Sequence, residues 1–251
     1  MCRIAAYAGP PIAVAALLKV PPHSLCAQAK RPRELPPGTV GSDGHGMAWW
    51  LPDGQGPARY RHTLPIWSDA NVEDSAGYVR SGLIVASTRT ASESMPVALV
   101  NTPPFLQDGL ALVHNGELVG FAEKLADSLR ALLTPKARAS LRGNTDTEMI
   151  AALLASTPGA TLALRVETTL ELLRKQVEAA GTTAKVNLLV GDGQQLIVVR
   201  AAVGAEPPSL YRSDRSNGST WVASEAFDDG EAWVPVAPDT VTAVRAIPSS
   251  P

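Results

Sequence analysis

Strand-forming segments stand at both ends of this chain and helix-forming segments fill its middle. That order is the tightest constraint on its fold. Arg3–Tyr7 reads as a strand that starts almost at the first residue. Ala48–Leu51 and Ala58–His62 read as two more, with Asp53-Gly54 as a hairpin turn between them. Leu83–Ser87 has a buried-strand composition, and Leu110–Val113 is a further short strand ending at His114-Asn115-Gly116. Val97–Val100 is a weaker candidate, strand or loop. Helical spacing takes over at Phe121, Leu125, Leu129 and Leu132. Thr134-Pro135 looks like an N-cap followed by proline at the first helical position. Asp146–Leu154 predicts a helix behind a Gly143-Asn144-Thr145 loop. Thr161–Ala180 predicts another, with Leu164, Leu170, Leu173 and Val177 on one side and Gly181 as its stop. Strands return at Lys185–Val190, Gln195–Ala201, Thr220–Ser224 and Val241–Ala246, the first two joined by a Gly191-Asp192-Gly193 turn. This is the α+β order with antiparallel pairing, not alternating βαβ units.

Composition narrows the function classes. Apolar residues make up 45% of the 251, so the chain can bury a core and is not of the disordered type. The 22 Lys and Arg against 24 Asp and Glu leave a net charge of −2, without the basic excess of a nucleic-acid binder. Two cysteines, Cys2 and Cys26, make no disulfide framework and no four-ligand zinc site, and a reducing, cytoplasmic setting is the simpler expectation. Ile12–Val20 resembles a weak signal sequence. However, Pro10-Pro11 and Pro21-Pro22 interrupt the region, Lys19 sits within it, and the run is far too short for a membrane span. A turn at Gly9-Pro10-Pro11 and a short helix ended by Pro21-Pro22 is the expected structure there. The segment Arg31–Met47, rich in Pro and Gly, reads as loop.

The residue with the most chemistry is Cys2. Methionine aminopeptidase removes Met1 when the next residue is small, and the chain would then begin with cysteine. Such a residue holds a thiol, with a pKa of about 8.5, beside an amine of about 7.7–8.0. The amine can act as general base for its own side chain.

Further motifs lie downstream: Ser87-Thr88-Arg89-Thr90-Ala91, His114-Asn115-Gly116 and Gly143-Asn144-Thr145-Asp146-Thr147-Glu148. With Met1-Cys2-Arg3, in this order and rough spacing, they resemble the class II glutamine amidotransferases. That resemblance implies an N-terminal-nucleophile (Ntn) hydrolase fold of four αββα layers, as one domain over residues 2–251. Asp43-Gly44-His45-Gly46, Leu64–Asp69, Ser94-Met95-Pro96, Pro104-Phe105 and Ala223-Ser224-Glu225 are similar to the stand-alone subgroup, the amidohydrolases of ergothioneine biosynthesis. The subgroup's reaction is hydrolysis of γ-glutamyl-hercynylcysteine sulfoxide to glutamate and hercynylcysteine sulfoxide.

By resemblance, Cys2 is the nucleophile, and Asn115 (side-chain amide) and Gly116 (backbone N–H) form the oxyanion hole. Arg89 pairs with the substrate α-carboxylate, as suits a guanidinium fork. Asp146 accepts the α-ammonium, and Ser92 adds a hydroxyl contact. Asp146 also stands in good helix-capping sequence, and capping and substrate binding are compatible. His114 is read as structural, Cys26 as a small buried hydrophobe, and most of Trp49, Trp50, Trp67, Trp221 and Trp233 as core.

Synthase-coupled members usually carry His-Thr-Arg-Trp-Ala-Thr-His. Here Ser87 and Glu93 replace both histidines and Thr90 the tryptophan, which fits the stand-alone subgroup. Within that subgroup an aromatic residue is usual at the position of His45. If its loop lines the leaving-group side, the amine released differs. The expected partner is a small γ-glutamyl substrate, with no cofactor, no metal, no nucleic acid and no membrane; a homo-oligomer is compatible. The alternative is a glutaminase subunit feeding ammonia to a separate synthase, which requires that partner.

Overall fold

The computed structural model describes residues 2–51, 56–91, 95–230 and 232–246. The first half runs β1 (Arg3–Ala13), α1 (Ala15–Leu18), α2 (Leu25–Lys30), β2 (His45–Trp49), β3 (Ala58–His62), α3 (Ala70–Ser75), β4 (Arg80–Thr88), β5 (Phe105–Gln107) and β6 (Leu110–Leu118). A π-turn at Phe121–Leu125 leads into α4 (Ala126–Ala131), α5 (Pro135–Ser140), α6 (Asp146–Ser156) and α7 (Leu162–Ala179). The chain closes with β7 (Ala184–Gly191), β8 (Gln195–Val203), β9 (Tyr211–Asp214), β10 (Thr220–Ala223), β11 (Val234–Pro235) and β12 (Thr240–Arg245).

Two antiparallel sheets result, in the strand orders β11-β9-β10-β1-β4-β2-β3 and β12-β8-β7-β6-β5. Alternation along each strand sorts side chains into three cores. Ile4, Ala6, Leu83 and Val85 of the first sheet meet Ala111, Val113, Leu189 and Val198 of the second, between the sheets. Ala5, Tyr7 and Ile84 face outward onto α1, α2 and α3 through Leu17, Leu25 and Val72. Leu112, Leu188 and Ile197 face outward onto α6 and α7 through Ile150, Leu153, Val166 and Leu173. The layers are therefore α, β, β, α, as expected. Among the described residues no helix is long and apolar enough to cross a membrane.

Most predicted elements form within a few residues of their expected bounds. Thr134 caps α5 through Ala137 N–H, Thr161 caps α7 through Leu164 N–H, and Gly181 ends α7 with φ +58°. Four readings change. Gly9-Pro10-Pro11 is not a turn: β1 continues through it, and its register with β4 shifts between Ala8 and Ile12. Proline cannot donate to the ladder, but its φ suits extended backbone, so the strand bulges instead of ending. The second strand starts at His45 rather than Ala48. The strand of Leu110 runs on to Leu118, so the His-Asn-Gly triplet is on the strand and not after it. Leu164 is 45% exposed, and the buried stripe of α7 is Leu162, Val166, Thr169, Leu173 and Val177. Val97–Val100 forms no strand; its end enters a 3-10 turn at Leu99–Asn101. The Asp53-Gly54 turn lies outside the described residues.

Candidate active site

A cleft of about 270 Å³ opens where the start of β1, the end of β4, the end of β6 and the start of α6 converge. Cys2, Arg89, His114, Gly116 and Asp146 all line it. Four sequence motifs from distant parts of the chain are therefore joined by tertiary structure. Asn115 is adjacent but enclosed, with 0% exposure. By strand alternation it faces between the sheets with Ala111 and Val113, and Cys2 takes the same inward side of β1 as Ile4. Neither polar atom of the Asn115 amide meets a partner among the described residues. Such a buried group costs about 1–3 kcal/mol. Ser92 lies outside the described residues.

Gly116 is required by space. A Cβ there would lie 1.8 Å from the Lys185 carbonyl oxygen of β7, because the two strands pair closely at this point. Beside it, both ring nitrogens of His114 are engaged. Nε2 meets the Lys185 carbonyl at 3.0 Å, an acceptor, so Nε2 carries the proton. Nδ1 meets the Thr147 hydroxyl at 3.1 Å. His114 thus ties β6 to both β7 and α6.

The α6 end follows from its capping sequence. Thr145 Oγ1 accepts from Glu148 N–H at 3.1 Å, so the cap is Thr145, and Asp146 is the first helical residue. Asp146 Oδ2 accepts from Leu118 N–H at 3.0 Å and Oδ1 from Thr147 N–H at 2.6 Å. The Glu148 carboxylate accepts from Arg142 and Gly143 N–H, both at 2.8 Å, which shapes the preceding loop. Asn101, a cleft residue not singled out from the sequence, locks that loop from outside. Its Nδ2 donates to Asn144 Oδ1 at 2.9 Å, and its Oδ1 accepts from Asn144 N–H at 3.2 Å. Gly143 allows the approach, since a Cβ there would lie 2.2 Å from Asn101 Oδ1.

Arg89 is held by its backbone, and among the described residues its guanidinium forms no ion pair. Its N–H donates to Gly44 C=O at 2.7 Å, and its C=O accepts from Asp43 N–H at 3.0 Å. Asp43 Oδ2 accepts from Ala91 N–H at 2.8 Å. Among the described residues the only hydrogen bond of the guanidinium is a long one, 3.4 Å, to the Pro96 carbonyl. Burial lowers its pKa, opposed by Cys2, Asp43 and Asp146. The Asp-Gly-His-Gly motif therefore acts as a clip around Arg89.

His45 itself does not line the cleft. It is buried on β2, its Nδ1–H donating to the Leu64 carbonyl at 2.9 Å and its Nε2 lying 3.1 Å from Asp69 Oδ2. Burial lowers its pKa, opposed by the Leu64 carbonyl and by Asp69. Trp50 and Trp221 are buried, and Trp49, Trp67 and Trp233 pack against the outer core of the first sheet; none lines the cleft. Cys26 is half-buried on that core, and burial pushes its thiol pKa up. Among the described residues no group of three His, Cys, Asp or Glu side chains is placed to hold a metal ion.

The layered fold and the convergent cleft are those of a class of enzymes that act on glutamine-like amides, and residues 34–205 match the family model for class II glutamine amidotransferases. The chain belongs to that family. Its relatives include gamma-glutamyl-hercynylcysteine sulfoxide hydrolases from Mycobacterium tuberculosis, 31% identical over 93% of this chain and 88% of theirs, and from Mycolicibacterium smegmatis, 30% identical over 93% and 91%. In fold it is similar to a glutamine aminotransferase class-II domain protein from Silicibacter pomeroyi (TM-score 0.69, 23% identity, 98% of this chain and 100% of that one). It is also similar to a B. subtilis glutamine phosphoribosylpyrophosphate amidotransferase (TM-score 0.67, 20% identity, 97% and 49%).

Proposed function

We propose that this chain hydrolyses γ-glutamyl amides, with γ-glutamyl-hercynylcysteine sulfoxide as its substrate, as a single domain over residues 2–251. The reading is carried by one observation: Cys2, Arg89, Gly116 and Asp146 share a cleft although their motifs are far apart in sequence. The named activity of the two mycobacterial relatives supports the substrate.

In this reading Met1 is removed, and the Cys2 amine takes the thiol proton. The sulfur attacks the γ-carbonyl carbon, and the oxyanion forms against the Asn115 amide and the Gly116 N–H. Each such donor is worth a factor of about 10²–10³. Collapse breaks the C–N bond, and the proton passes to the departing amine nitrogen. Water then attacks the thioester, releasing glutamate and the free thiol. Arg89 and Asp146 hold the α-carboxylate and α-ammonium. The mechanism needs only water as co-reactant. Because His45 is buried on β2 and does not line the cleft, it makes no contact with the leaving amine.

The experiment is glutamate release by purified protein whose N-terminus has been checked by mass. Wild type and Cys2→Ala each receive γ-glutamyl-hercynylcysteine sulfoxide or L-glutamine. The expected result is Cys2-dependent release from the sulfoxide and little from glutamine. Release from glutamine alone would overturn the substrate in favour of an ammonia-supplying subunit. Full activity with Met1 retained would overturn the mechanism, because the amine would then be an amide.

A further inference from the structure

We infer that Glu225, acting through Arg3, is the positioning residue that orients Cys2 for attack. The inference rests on Cys2 being the nucleophile, as proposed above. An N-terminal nucleophile poses a mechanical problem. It has a single peptide bond to the chain, and strand ends fray. Here the adjoining side chain solves it. Arg3 and Glu225 are both 1% exposed, far more enclosed than charged residues at a strand end normally are. Arg3 Nε donates back to the Cys2 carbonyl at 2.8 Å, and its Nη1 donates to Glu225 Oε1 at 3.0 Å. The guanidinium therefore fixes the plane of the Cys2–Arg3 peptide. The thiol and amine then turn about one anchored axis.

Glu225 is itself over-determined. Its Oε2 meets His23 Nε2 at 2.5 Å and accepts from Arg33 N–H at 2.8 Å, and Oε1 also accepts from Glu34 N–H at 3.2 Å. Gln28 Nε2 donates to the backbone carbonyls of both His23 and Glu225, at 3.0 and 2.9 Å. Next door, Ile4 N–H donates to Ser224 Oγ at 3.0 Å and Ser224 N–H to Ile4 C=O at 2.9 Å. The end of β10 and the start of β1 are one unit. As a stabilising device this is poor. Burying two charges costs several kcal/mol per ion, and an apolar pair would fill the space as well. What an apolar pair lacks is the bond to the Cys2 carbonyl, which also keeps a cation within the same residue pair as the Cys2 amine. A neighbouring cation favours the neutral amine, the form that serves as base. Arg89, Asp146, His114, Glu117 and Glu123 also line the cleft around Cys2, and they are unchanged in the variants below.

The test is kcat, KM and the pH profile of kcat/KM, with melting temperature alongside, for wild type, Glu225→Gln, Arg3→Gln and Cys2→Ala. Glu225→Gln should lower kcat about 10²-fold with KM within about twofold, the cost of a misplaced reacting group. Its acid limb should move to lower pH, because the Arg3 charge is then unopposed. Arg3→Gln should move that limb the other way. A purely structural pair would lower the melting temperature and move neither limb, and that outcome overturns the inference. If Glu225→Gln or Arg3→Gln fails to fold, His23→Gln replaces it. It loosens Glu225 without removing its charge and should cost about tenfold in kcat at unchanged KM; wild-type kcat would overturn the inference. An active Cys2→Ala would overturn the nucleophile itself. A dead Cys2→Ala beside a fully active Glu225→Gln would overturn the positioning role alone.

Discussion

The two walls of the cleft are held in different ways. On the first sheet, Cys2 is anchored by the buried Arg3–Glu225 ion pair and the hydrogen bond of Glu225 to His23, which join residues far apart in sequence. On the second sheet, Gly116 and Asp146 are anchored by hydrogen bonds that span 71 residues at most. His114 bridges strand and helix, Thr145 caps α6, and Leu118 N–H holds the Asp146 carboxylate. The first arrangement fixes the start of β1, and does so with a buried ion pair. The second fixes residues in mid-chain, where strand pairing and a helix start already do most of the work.

The sharpest way to separate positioning from chemistry is Asn115→Ala. Its amide makes no hydrogen bond within the described residues, so its loss should leave stability unchanged or raised. If it is the oxyanion donor, kcat should fall about 10²–10³-fold at near-constant KM. Unchanged kcat would move the oxyanion hole elsewhere.

A smaller effect tests the ionic wall. Burial alone would raise the Glu225 pKa, but the His23 hydrogen bond, the Arg33 and Glu34 N–H groups and the Arg3 charge hold it below the usual carboxylate range. A carboxylate with a depressed pKa stabilises the fold above its unfolded value, about 4.3, and this contribution disappears as pH falls through the folded value. Acid titration of stability should therefore be shallower in Glu225→Gln below that pH. Parallel curves would show that the ion pair is not linked to folding.

The smallest effect is expected on the other wall. Thr145→Ala removes the α6 cap and should cost about 1 kcal/mol in chemical denaturation. It should raise KM more than it lowers kcat, since Asp146 is the next residue. A kcat effect equal to that of Glu225→Gln would erase the distinction between the walls.

Much of this was legible in the chain. Thr134, Thr161 and Gly181 mark helix ends by local chemistry, and their signals need no tertiary partner. The order of Cys2, Arg89, Asn115, Gly116 and Asp146 was legible through resemblance. The bulge at Gly9-Pro10-Pro11 was not, because a strand pair on either side holds the prolines extended where local preference favours a turn. Leu164 falls outside the buried stripe for a related reason: apolar spacing marks a stripe, but only the opposing sheet decides its edge. Asn101 left no signal, since its partner Asn144 is 43 residues away and neither lies in a regular spacing.

Local interactions within a few residues are written in the sequence, and they determined the helix caps, most strand positions and the chemical character of Cys2. Which side chains meet across the two sheets was decided only by packing. The pairing of Arg3 with Glu225 over 222 residues is the clearest case. Neither residue is a plausible buried charge alone, and only the closed sandwich, which brings the end of β10 beside the start of β1, makes each the reason the other can be buried.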